Sequence, residues 1–193
     1  MIRKQARTLS KPEVTQVLDH IKKLRYPKRN KVIFLLSIKA GLRAQEISLL
    51  TWSMLTNASG QINDFIELPD KSSKSKSGRI IPLNTDLKKA LIDLYRSNPS
   101  APENYVIVGE RGSNMRPCNI SHWFKKVFKI LGLEGCSSHS GRRTFVINAA
   151  KRIIEVGGSL RDVQQLAGHA SLQMTQSYVE EDAEAKQKVM QLI

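Results

Sequence analysis

The sequence predicts an α+β fold, mostly α-helical, with one small antiparallel β-sheet. Apolar residues recur at helical spacing over most of the 193 residues, and the period changes to short β-prone runs between Met54 and Leu83. Ser10-Lys11-Pro12-Glu13 has the form of a capping box. Val14, Val17, Leu18, Ile21 and Leu24 follow it at helical spacing, which predicts a first helix over 11–25. A second helix spans 29–40 and is closed by Gly41. A short third helix, Ala44 to Leu50, starts at Arg43 and places Glu46 one turn on, so those two side chains are expected to be neighbours.

The runs FIEL and RIIPL then predict two antiparallel strands, joined by a Ser-rich basic loop that holds Lys71, Lys74 and Lys76 and ends at Arg79. Helical periodicity resumes at Leu87 to Tyr95, pauses at the apolar YVIVG, and returns over 119–131 and 143–156. Gly157-Gly158 breaks the chain. Ser159-Leu160-Arg161-Asp162 caps a short helix that runs through Leu166, Gly168-His169 makes a turn, and a further helix is expected to carry Met174 and Tyr178. The segment 180–193 reads as a terminal helix with Val189, Met190 and Ile193 on one side.

The length suits one domain with a sizeable core. No apolar run approaches the roughly 20 residues that span a bilayer, which excludes a membrane protein. The opening MIRKQARTLSKPE lacks an apolar segment after its basic residues, so it is not a secretory signal, and a cytoplasmic protein is expected. The 31 Lys and Arg against 17 Asp and Glu give a formal charge of +14, which favours a polyanionic partner, with nucleic acid foremost. Cys118 and Cys136 are expected to be reduced. Their spacing to His122 and His139 is compatible with zinc, but the intervening WFKKVFKIL reads as a helix and His139 has a better-supported role.

Four local contexts carry the chemistry: Arg43 in GLRAQEI, Lys74 in KSKSGRIIPL, His139 and Arg142 in HSGRRTF, and His169 with Tyr178 in LAGHASLQMTQSYV. Cleavage of a phosphodiester by a side chain needs positive charge on the nonbridging oxygens and a proton for the departing 5′ oxygen. A pair of arginines can clamp both oxygens through paired hydrogen bonds. A lysine on a loop can deliver the proton, and a tyrosine can attack. The chain has no GxxxxGK[ST] loop and no carboxylate cluster for paired magnesium ions, so no cofactor and no metal is expected.

From Lys11 to Tyr178 the chain resembles the catalytic domain of the tyrosine recombinases, the phage-integrase family, most closely in GLRAQE, HSGRR and LAGHASLQMTQSYV. The resemblance implies Arg43 and Arg142 as the phosphate clamp, Lys74 as general acid, His139 as phosphate donor or base, and His169 as a further donor. It implies Tyr178 as the nucleophile that joins a DNA 3′ phosphate, with Glu46 orienting the basic groups. Lys71, Lys76, Arg79 and Arg143 are expected to contact DNA.

Many family members have Leu-Arg-His where this chain has Gly141-Arg142-Arg143, and the three-residue step from His139 selects Arg142. The resemblance further implies one catalytic domain over 1–193, without the N-terminal DNA-clamping domain most members carry, either as a fragment or as a minimal member. Double-stranded DNA is the implied partner. Assembly on it, from dimer to tetramer, is implied as well, and 180–193 is the segment that could exchange between subunits. A type IB topoisomerase uses a similar residue set, and a basic surface alone would serve a non-catalytic DNA-binding regulator. The length and the complete set of catalytic residue types favour the recombinase.

Overall fold

The computed structural model describes residues 6–69, 78–110 and 112–178. Its elements in chain order are α1 (Lys11–Lys22), α2 (Pro27–Lys39), α3 (Ala44–Leu49), β1 (Phe65–Leu68), β2 (Arg79–Pro82), α4 (Thr85–Ser97), α5 (Pro117–Ile130), α6 (Ser140–Ile153), α7 (Leu160–Ala167) and α8 (Leu172–Gln176). Single 3-10 turns occupy Trp52–Met54 and Ile154–Val156. The mostly helical reading with one small antiparallel sheet holds, and the differences lie mainly at element ends. Prolines at the first positions of α2 and α5 start these helices two residues earlier than periodicity suggests. The helix expected over 143–156 begins at Ser140, which brings Arg142 into its first turn.

α2 is the axis of the domain. Val32 to Leu36 are all buried, so the helix is covered on every side, and α1, α3, α4 and α6 pack around it. α5 contributes Ile120, Phe124, Val127 and Phe128 from one face to the same core. A second, smaller apolar cluster joins α6 to α7 through Val146, Ala150, Val163 and Ala167, and the Tyr178 ring rests against it.

Two glycines set how closely α6 approaches α2. A Cβ on Gly141 would run into the Ser37 hydroxyl, so only a glycine lets the two helices touch at that point. Gly41 ends α2 at φ +66°, the Leu42 N–H closes back on the Leu36 carbonyl at 3.0 Å, and the Phe145 ring occupies the space a Gly41 side chain would need. The consequence is that the first turn of α6 lies against the end of α2.

β1 and β2 pair antiparallel with Leu68 opposite Arg79 and Phe65 opposite Pro82. Alternation along β2 points Arg79 and Ile81 inward and Ile80 outward. Tyr178 lies beyond Ser177, the C-cap of α8, rather than inside that helix. Residues 71, 74 and 76, and the expected terminal helix over 180–193, lie outside the described residues.

Gly41→Ala combines a left-handed backbone, about 1–2 kcal/mol, with an overlap on Phe145, about 1–3 kcal/mol, and should destabilise the domain by about 2–5 kcal/mol, read from denaturant midpoints. Gly60→Ala is the control: φ is +72° there but nothing crowds the site, so only the backbone cost of about 1–2 kcal/mol applies. Equal costs at both positions would show that Phe145 yields freely.

Candidate active site

Segments far apart in sequence converge where α2 and α7 end. Arg43 is the N-cap of α3, and Glu46 in the first turn turns back to accept the Arg43 backbone N–H at 2.7 Å and Arg43 Nη1 at 3.2 Å. The same Glu46 oxygen, Oε1, accepts Nη1 of Arg79 at 2.9 Å. The Glu46 side chain is only 2% exposed. Burial pushes its carboxyl upward, but the hydrogen bond and charge of Arg79, with the contacts from Arg43, outweigh that and hold it below the usual carboxylate range.

Arg142 is buried and reaches two helix ends at once, with Nη1 donating to the Gly41 carbonyl and Nη2 to the Ala167 carbonyl, both at 2.7 Å. Arg79 Nε donates to the Leu166 carbonyl at 3.1 Å, and Arg43 Nη2 to the Gly168 carbonyl at 3.4 Å. Three consecutive carbonyls at the end of α7 therefore each hold one arginine. These are groups the helix itself leaves unpaired, at its electronegative end. Burial, then the charge of Arg43, draws the Arg142 guanidinium down to about 10, still cationic at neutral pH. Gly168 closes α7 at φ +61°, and a Cβ there would stand 2.5 Å from Arg79 Nη1. The glycine meets a backbone requirement and a space requirement together.

The next residue, His169, is buried. Its backbone is tied reciprocally to Gln164, N–H to carbonyl at 3.1 Å and Gln164 Nε2 back to the His169 carbonyl at 3.1 Å. Its ring meets the Thr175 hydroxyl through Nδ1 at 3.0 Å and stacks on Tyr178, centroids 5.4 Å apart and planes 17° apart. Burial first, and then the charges of Arg142, Arg43 and Arg79, lower its pKa to about 4, so the ring is neutral at pH 7. Arg143 lies over the Tyr178 ring at 5.7 Å. His139 sits at the N-cap of α6, its backbone N–H on the Ser137 hydroxyl at 3.2 Å. Desolvation, and then Arg142 and Arg43, depress its ring pKa.

Arg43, Arg142, His139, His169, Tyr178 and Glu46 thus share one site. Arg79 calls for a correction. The basic loop suggests a DNA contact on the surface, but strand alternation turns this side chain inward, where it is 6% exposed and bound to Glu46 and the α7 end. Thr175, Gln164 and the α7 carbonyls are further parts of the site that side-chain chemistry alone did not single out. Among the described residues no three His, Cys, Asp or Glu gather as a metal site, and Cys118 is exposed while Cys136 is half-buried. No helix among them is long and apolar enough to cross a membrane.

A helical domain with a two-stranded hairpin, gathering these arginines, histidines and a tyrosine in this chain order, has the architecture of a tyrosine-recombinase catalytic domain. The chain belongs to the phage integrase family, whose model matches residues 7–185. It is 31% identical over 179 residues to tyrosine recombinase XerC of Rickettsia prowazekii (strain Madrid E), covering 89% of this chain and 55% of that protein. XerC of Rickettsia bellii (strain OSU 85-389) shows the same identity and coverage. The chain therefore spans about half the length of these relatives. Among solved structures, the Tn1549 transposon integrase in complex with a circular intermediate DNA aligns at a TM-score of 0.76, with 18% identity, over 100% of this chain and 67% of that one. XerH bound to difH substrate, a pre-cleavage complex, aligns at 0.73 with 19% identity over 98% of this chain and 55% of that one. At these identities the structural matches establish the fold.

Glu46→Gln leaves two guanidiniums around a neutral amide and should destabilise the domain by about 3–5 kcal/mol in denaturant titrations. A second expectation concerns pH. His169 takes up a proton near 6.5 when unfolded but only near 4 when folded, so the unfolded chain binds the proton first and stability should fall as pH drops across that interval. Glu46, depressed below 4.5, adds a further loss as pH falls through its own folded value. Denaturant midpoints at stepped pH should show a shallower slope for His169→Asn than for wild type between pH 6.5 and 4. Identical slopes would remove His169 as the titrating group.

Proposed function

We propose that this chain is the catalytic domain of a site-specific DNA recombinase, which cleaves and rejoins strands through a 3′-phosphotyrosyl intermediate. The observation that carries the reading is the charge balance at the site: three guanidiniums, Arg43, Arg79 and Arg142, gather near a single carboxylate, Glu46, which hydrogen-bonds the first two, beside the stacked ring of Tyr178. That leaves a cationic cleft suited to one phosphate. Arg43 and Arg142 clamp the nonbridging oxygens of the scissile phosphate, and Arg79 holds Glu46 and α7 in place behind them. Neutral His169 donates a hydrogen bond to a nonbridging oxygen, and His139 serves as donor or base.

The Tyr178 hydroxyl gives up its proton, with His139 as the base, as its oxygen attacks phosphorus; the bond to the 5′ oxygen breaks, and Lys74 supplies the proton that the departing oxygen takes up. The phosphotyrosyl bond preserves the energy of the broken diester. Attack by a 5′ hydroxyl of a partner strand expels Tyr178 and reseals the backbone, so ATP has no role. Lys71 and Lys76 approach the backbone of the duplex, and Arg143 a neighbouring phosphate. The named complexes of the XerH and Tn1549 proteins with DNA support duplex DNA as the partner here. The work is placed in the cytoplasm. Protomers assemble on DNA, and the segment 180–193 exchanges between them.

Tyr178→Phe should keep DNA binding and lose the covalent protein–DNA adduct on a denaturing gel; an adduct that persists rejects Tyr178 as nucleophile. Arg142→Ala should slow cleavage by about 10²-fold or more in single-turnover assays. Strand-exchange products, rather than relaxed circles alone, separate a recombinase from a topoisomerase.

A further inference from the structure

The His169 ring has two nitrogens in different surroundings. Nδ1 meets the hydroxyl of Thr175 at 3.0 Å, whereas Nε2 is buried and has no partner among the described residues. Thr175 is fully buried, on the one-and-a-half-turn α8 that Ser171 caps. A threonine hydroxyl in a helix usually gives its proton to the carbonyl four residues back, as Thr144 does to Ser140 at 2.8 Å and Thr15 to Lys11 at 3.3 Å. Thr175 departs from that habit: among the described residues the one polar atom its hydroxyl meets is Nδ1. The hydroxyl has one proton to give, and the ring offers a lone pair at Nδ1 to take it when its own proton is on Nε2.

We propose that Thr175 is a positioning residue that donates its hydroxyl proton to Nδ1 of His169, thereby fixing the ring in the tautomer that carries its proton on Nε2. The nitrogen so protonated is the buried one, on a ring that feels Arg142, Arg43 and Arg79. A donor without a partner in that place awaits an acceptor, and an oxygen of a phosphate clamped by the arginines is the chemistry that fits. The opposite tautomer would present a lone pair to an anionic oxygen and repel it. The backbone of His169 is locked by Gln164 on one side, and its ring by Thr175 and Tyr178 on the other, so orientation and proton position are both determined before DNA arrives.

The use of this donor in strand cleavage rests on the recombinase reading, but the tautomer does not, and the experiment separates the two. Two-bond 1H–15N correlation spectra of the histidine rings on 15N-labelled protein without DNA, at pH 7, identify the tautomer, with His169 assigned by its loss in His169→Asn. The expected result is an Nε2-protonated ring in the wild type and in Thr175→Ser, and loss of that preference in Thr175→Val, which keeps the shape but removes the hydroxyl. An Nδ1-protonated ring in the wild type, or an unchanged tautomer in Thr175→Val, overturns the proposal. The wild-type spectrum decides the point even if the valine variant folds poorly.

In cleavage assays Thr175→Val should bind DNA as the wild type does and cleave about 10- to 100-fold more slowly, with Thr175→Ser restoring most of the rate. Full-rate cleavage by a Thr175→Val protein of altered tautomer overturns the positioning role. If the wild type forms no covalent adduct with any substrate while the tautomer behaves as expected, the recombinase reading fails and the histidine assignment stands.

Discussion

The site depends on how positive charge is kept inside the domain. Arg142 and Arg79 are taken out of water, and a buried cation is tolerated only when hydrogen bonds and opposite charge replace its hydration. Glu46 is the opposite charge available among the described residues at this place, shared through one oxygen by Arg43 and Arg79. A single carboxylate does not neutralise three guanidiniums. Burial first, and then the charge of Arg43, depresses the pKa of Arg142, the direction expected of a guanidinium whose hydration is incompletely replaced. In the proposed reading a bound phosphate diester would supply the missing negative charge, and the arrangement would trade stability of the empty site for affinity toward it.

The other half of the compensation comes from the end of α7. A helix leaves its last carbonyls unpaired, and in α7 the carbonyls of Leu166, Ala167 and Gly168 are directed at Arg79, Arg142 and Arg43 in turn. The helix is fixed at its other end by the reciprocal Ser159 and Asp162 box and along its side by Val163 and Ala167 against α6. Packing thus determines charge placement: a shift of α7 would move three guanidiniums together, and the Gly141–Ser37 contact does the same for the root of Arg142.

Much of this was legible in the sequence because the helices are amphipathic and the reactive residues lie in short, ordered motifs. The Arg43–Glu46 contact followed from helical spacing alone, and the capping boxes at Ser10 and Ser159 marked helix starts correctly. What periodicity could not supply was direction. Arg79 was grouped with Lys71, Lys74 and Lys76 by composition, although the buried Ile81 two residues on already implied that Arg79 shares the inward face of β2. The α7 carbonyls were invisible for a plainer reason: backbone acceptors have no letter in the sequence, and only the fold assigns them to a partner. The close approach of α6 and α2 was likewise hidden, since a glycine within a helical stretch reads as a weak point until its neighbour across the interface is known.

The tyrosine completes the logic of a site whose parts are held by different means. Arg142 is fixed through both terminal nitrogens of its guanidinium and Arg79 through Nε and Nη1, which would suit groups that, in the proposed reaction, stand in place before charge develops on a phosphate. Tyr178 is held by its ring, through His169, Arg143 and the α6–α7 cluster, and its hydroxyl makes no hydrogen bond among the described residues. It also stands just beyond the end of α8, with its backbone N–H on the Thr175 carbonyl at 3.1 Å. In the proposed reaction the nucleophile would travel toward phosphorus as its bond forms, and away again when the strand is resealed. Stacking and apolar contact permit that short movement at little cost, whereas a hydrogen bond to the attacking oxygen would have to break at each step. The stack on His169 also ties the tyrosine ring to a side chain that is itself held by Thr175, so in the proposed reaction the nucleophile would move against a fixed ring.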